Sequence, residues 1–72
     1  MHKYHINIFY SPDDEGFIAD IPDLKCCSAF GETQQEAFKE VLIAQELWLD
    51  NAKEKGLDIP EAKYQPLIYQ VS

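Results

Sequence analysis

"IPDLKCCSAFGETQQEAF", Ile21 to Phe38, holds the point where a sheet gives way to a helix. Pro22 interrupts the extended pattern before it, and Cys26 to Phe30 can form a short strand. Thr33 followed three residues later by Glu36 is a capping box. The Thr33 hydroxyl can accept from the N–H of Glu36, and the Glu36 carboxylate can reach back to the N–H of Thr33. The helix so opened is predicted from Gln34 to Lys55. Lys53 and Lys55 suit the negative end of its dipole, and Gly56 is its stop.

The paired cysteines in this stretch are either reagents or parts of the scaffold. Successive strand residues point to opposite faces, so Cys26 and Cys27 are not expected to share a site. A disulfide between neighbours closes a strained ring, and no C-x-x-C spacing supports zinc or thioredoxin-like chemistry. They read as two small, soft residues packed in a strand. His2 and His5 also face opposite ways if extended, and zinc would need two further convergent ligands. No metal or cofactor is expected.

Upstream, Tyr4, Ile6, Ile8 and Tyr10 alternate with Lys3, His5, Asn7 and Phe9, the period of a strand with one face towards a core. "SPDDEG", Ser11 to Gly16, is a dense turn signal, so Phe17 to Ile21 should return antiparallel. Downstream, Pro60 and Pro66 bracket a loop, and "LIYQV", Leu67 to Val71, reads as a last strand. The expected fold is α+β, β-β-β-α-β, one domain over residues 1–72. It would be a mixed four-stranded sheet, with the first strand central and one long helix packed on one face. The opposite face, with His5, Asn7, Ile18, Asp20 and Ile68, would be exposed unless a second copy covers it.

The chain of 72 residues has room for one small domain, and chains this short often gain from oligomerisation. Thirteen acids against six lysines, with no arginine, give a net charge of −7. That balance disfavours direct nucleic-acid binding, which draws on clustered cations, and suits a basic partner. "MHKYHINIFY" is too short and too polar for a signal peptide, and no apolar run approaches membrane-spanning length. With two cysteines and no secretion signal, a cytoplasmic protein with reduced thiols is expected.

Asp13, Asp14, Glu15, Asp20 and Asp23 form a local acidic group. Metal-dependent phosphodiester hydrolysis needs carboxylates converging from adjacent elements. Only Asp20 projects from a predicted strand, so the chain is not expected to be an enzyme. A degenerate nuclease using Asp20 with loop acids and a divalent ion is the catalytic alternative.

On a helical wheel Ala37, Phe38, Val41, Leu42, Ala44, Trp48, Leu49 and Ala52 make an apolar stripe that includes Gln45. Opposite stand Glu36, Lys39, Glu40, Glu46, Asp50 and Glu54, with the i,i+4 pair Ile43 and Leu47 among them. A spaced apolar pair ringed by acids reads as an anchor for a basic partner or for a second copy, the alternatives being no role at all or burial in a wider core. The predicted binding residues are therefore Glu36, Glu40, Ile43, Glu46, Leu47 and Asp50. Asp13, Asp14 and Asp20 on the hairpin are the second choice.

"PDL" (Pro22, Asp23, Leu24), Cys27 three residues on, "GET" (Gly31 to Thr33), "EAF" (Glu36 to Phe38), the ending "LWLDNAKEKG" and Pro60 resemble the HicB-like antitoxin family. "GFIADIPDL" fits its first hairpin, and the likeness spans nearly the whole chain. Lys25 and Cys26 stand where that family tends to have Pro-Gly. The resemblance implies a partial ribonuclease-H-like fold without a working metal site. It also implies homo-oligomers and the silencing of a small basic toxin that cleaves RNA with a histidine. Many full antitoxins of that family add a C-terminal DNA-binding domain. This chain stops at Ser72, so operator binding by it alone is not expected. The other alternative is a solitary self-associating domain.

Overall fold

Ser11 begins the first reversal of the chain. Its hydroxyl donates to Asp14 Oδ2 at 2.8 Å, while the Asp14 N–H donates to the Ser11 carbonyl at 3.2 Å. The Glu15 N–H donates to the Pro12 carbonyl, and Glu15 takes the left-handed conformation (φ 53°) that turns the chain back. In the computed structural model, which describes residues 3–65, this turn joins β1 (Asn7–Ser11) to β2 (Gly16–Asp20). β3 (Ser28–Gly31) and α1 (Gln34–Glu54) follow.

The sheet order is β1-β2-β3, antiparallel throughout. The expectation of a mixed four-stranded, β-β-β-α-β, partial ribonuclease-H-like sheet is thereby corrected. Among the described residues the fold is α+β with the order β-β-β-α and three strands. Each strand follows its neighbour through a short connection, which only antiparallel pairing allows. β2, rather than the first strand, is therefore central. The predicted strand Leu67–Val71 lies outside the described residues.

The third strand also starts later than Cys26. From Ile21 to Cys27 the backbone closes on itself. Ile21 N–H donates to the Cys27 carbonyl, Leu24 N–H to the Ile21 carbonyl and Cys27 N–H to the Leu24 carbonyl. Cys26 has φ 61°, left-handed geometry that no strand accepts. The loop buries Ile21, Leu24 and Cys27 and adds them to the core.

The register places Ile8, Ala19 and Ala29 opposite one another on the face that meets α1. Small residues there let the helix approach closely. Gly31 is the extreme case, since a Cβ on it would lie 2.2 Å from the Ala37 nitrogen. The helix buries Ala37, Val41, Gln45, Leu49 and Ala52, a stripe narrower than the one predicted. Three strands cover little of a helix's circumference, so Phe38 and Leu42 stand exposed on its shoulder.

Both helix ends are set by local chemistry. The Glu36 N–H donates to Thr33 Oγ1 at 3.1 Å, and Glu36 Oε1 accepts from the N–H of Glu32 at 2.8 Å, one residue before the expected donor. At the other end Leu57 N–H reaches the Ala52 carbonyl and Gly56 N–H the Lys53 carbonyl, with Gly56 at φ 71°. This is a Schellman motif.

Candidate functional site

The acids of α1 turn away from the sheet and around an apolar pair. Ile43 is 49% exposed and Leu47 is 66% exposed. Both project from the middle of a helix carrying five acids and two lysines. Glu36, Glu40, Glu46 and Asp50, predicted with them, are all exposed. Two of these acids already have partners: Glu36 caps the helix, and Glu46 Oε2 accepts from Gln45 Nε2 at 3.4 Å. Glu40 and Asp50 remain as the solvated acids closest to the pair, with Lys39 one turn before Ile43 and Glu54 one turn beyond Asp50.

Leu47 also forms one wall of a groove that sequence reading missed. The groove holds about 410 Å³ and lies between α1 and the end of the Ile21–Cys27 loop. Its lining is Cys26, Cys27 and Ser28 on the loop side, with Ala44, Leu47, Trp48 and Asn51 on the helix. The Trp48 indole N–H donates to the Lys25 carbonyl at 2.9 Å, which fixes the ring against the loop. The only hint in the sequence was an aromatic at the border of the helical stripe, and that position reads equally well as core.

The cysteines do part company, although the cause is the turn at Cys26 rather than strand alternation. Cys26 is exposed and Cys27 buried. Burial pushes the Cys27 thiol above its ordinary range, and the Asp20 carboxylate adds to the shift. A thiol held protonated is a poor nucleophile.

The hairpin acids do not gather. Asp13 and Asp14 sit in the turn at one end of β2, and Asp20 sits at the other, paired across the sheet with Asn7 and Ser28. Five residues of strand separate them by about 15 Å, too far for one ion to bridge. Among the described residues no group of three or more His, Cys, Asp or Glu side chains is placed to hold a metal ion. Asp23 has a structural task, as its carboxylate accepts the Tyr64 N–H at 3.1 and 3.2 Å.

The outer face of the sheet is apolar at its centre. Phe9 pairs with Ile18 and Ile18 with Phe30, so the three form a row across all three strands. Phe9 is 51% exposed and Phe30 is 44% exposed. Around the row stand Asn7, Ser11, Ser28 and Asp20, and His5 Nε2 lies 2.7 Å from Asn7 Oδ1. His5, Asn7, Ile18 and Asp20 thus stand on the face expected for them.

Among the described residues no helix is long and apolar enough to cross a membrane. No family model matches the chain, and no solved structure matches it. A match does come from the UPF0150 protein ssl0259 of Synechocystis sp., 38% identical over 53 residues. The alignment covers 74% of this chain and 73% of that relative. At that identity and coverage the match is one of descent, and the chain belongs to the UPF0150 family.

Proposed function

We propose that this chain is a cytoplasmic, non-catalytic, antitoxin-like binding module that neutralises a small basic, RNA-cleaving toxin by occlusion. The observation that carries the reading is the exposed Ile43–Leu47 pair set among Glu40, Glu46 and Asp50, on a chain of net charge −7. Acids steer a basic surface into register, and the apolar pair and adjoining groove supply the holding contact. The motif resemblance to HicB-like antitoxins points the same way. Covering the lysines and arginines that would otherwise hold RNA is enough to silence such a partner, so the module itself needs no reaction chemistry.

The test is capture of the tagged chain from its native lysate at low salt, followed by an RNA-cleavage assay of any small basic protein recovered. Added back in equal amount, the chain should abolish that cleavage. Ile43→Lys with Leu47→Lys should weaken the complex at least about a hundredfold, the range of two central anchors. Association should slow markedly as salt rises. Unchanged inhibition by the double variant would refute the helix face. A salt-independent rate would refute electrostatic steering.

The second reading, a solitary self-associating domain, is favoured by the apolar row on the outer sheet face. Oligomers without any heterocomplex would select it.

A further inference from the structure

We propose that a second copy of this chain packs on the outer sheet face through the Phe9–Ile18–Phe30 row. In this arrangement a two-fold axis sets each hairpin tip against the Lys3–His5 end of the other copy. The inference deepens the self-associating part of the proposed function and holds whether or not a basic partner exists.

Charge argues for this face and this occupant. Two chains of charge −7 repel, so they meet where like charge is thinnest. Five acids stand on α1, and Asp13, Asp14 and Glu15 crowd the hairpin tip. Among the described residues the strand positions of the outer face bring a single carboxylate, Asp20. A basic partner, which the helix face suits, gains little from a face so poor in acids.

The same distribution fixes the orientation. The hairpin tip at one end is acidic. At the other, His5 stands beside Asn7 with its ring 5.0 Å from that of Tyr64, exposed Lys3 lies two residues upstream, and Asp20 across from Asn7 is the one acid of the strand face. Copies stacked tip on tip would oppose three acids to three. Turned by a two-fold axis, each tip instead meets a lysine, a histidine and one acid, Asp20, so like charges oppose three to one and every contact occurs twice.

The centre is ready to pack. Phe30 rests on Gly16, where a Cβ would lie 2.5 Å from ring atoms Cε1 and Cζ, so the ring is seated before any partner arrives. The apolar centre is only three side chains wide, whereas a standard interface buries roughly 800 Å² per partner, so the association should be reversible.

Sedimentation equilibrium of the purified chain, from micromolar to near-millimolar concentration, reads the result. We expect a monomer–dimer equilibrium whose dissociation constant rises at least about tenfold in Phe9→Lys with Phe30→Lys. Ile43→Lys with Leu47→Lys should leave it unchanged, which separates this surface from the helix face. Lys3→Glu should weaken the dimer, and adding Asp13→Lys should restore it. A dilution series on the unaltered chain removes any doubt about folding of the variants, since the Ile18 methyl resonances should move with concentration. A monomer at every concentration, or a dimer indifferent to Phe9 and Phe30, overturns the proposal. So does an Ile18 signal that ignores dilution. Failure of Asp13→Lys to rescue Lys3→Glu overturns the two-fold arrangement.

Discussion

Cys26 and Cys27 are adjacent in the chain and chemically far apart. Cys26 sits on a left-handed turn at the mouth of a groove, whereas Cys27 is 5% exposed and its thiol is held protonated. A maleimide reagent at neutral pH should therefore modify one thiol rapidly, and peptide mapping should find it on Cys26. Cys27 should react only after denaturation, and equal rates would contradict its burial. The divergence of the pair was legible in the sequence, but the turn that produces it was not. A non-glycine residue at positive φ is selected by the closure of its loop, which no local pattern announces. Gly31 is subtler. In the sequence it stands only as the first residue of "GET", yet its use is to admit the backbone of Glu36 and Ala37. Gly31→Ala should destabilise the fold by about 1–3 kcal/mol or more, the cost of overpacking, and lower the melting temperature measured by circular dichroism. An unchanged melting temperature would mean that the strand–helix junction is loose.

The helix was the most legible element, because both of its ends are written in short-range chemistry. Thr33 and Glu36 open it, and Gly56 closes it within a residue of the expected position. Thr33→Ala should cost about 1 kcal/mol in urea unfolding, while Thr33→Ser should keep most of that stability. A loss equal for both would show that packing, not capping, fixes the start. Strands were read less well. Each ladder ends where a loop outside it begins to satisfy the backbone, and for Ile21 to Cys27 three hydrogen bonds inside the loop set that limit. The width of the buried helical stripe was also overestimated. Hydrophobicity marks which residues could be buried, but the size of the sheet decides how many are. Ile43 and Leu47 were identified on the exposed face because acids surround them. The groove beside Leu47 went unseen, since it depends on how the loop meets Trp48.

Across the whole molecule, strand parity made both faces of the sheet legible, as pairing of Phe9, Ile18 and Phe30 requires only alternation and register. Strand order was not legible, because alternation says nothing about which strand lies in the middle. One contact joins parts of the chain that neither pattern connects. The Tyr4 hydroxyl, beneath the surface near the start, donates to the Pro60 carbonyl. Burial raises the Tyr4 phenol above its ordinary value, with the Asp23 carboxylate adding to the shift. The folded state thus keeps the proton to higher pH than the unfolded one. Stability from this group is complete below about pH 10 and is lost as pH rises through the folded value. Tyr4→Phe should remove that alkaline loss, which a pH series of urea unfolding curves would show.

The same bond has a kinetic meaning. It spans 56 positions, whereas the two hairpins and the helix assemble from neighbours. Closing so long a loop is useful only once its ends have been brought close by everything between them. The phenol should accordingly act as a late latch, absent from the folding transition state and broken early on the way out. Stopped-flow measurements on Tyr4→Phe should then show faster unfolding at an unaltered folding rate.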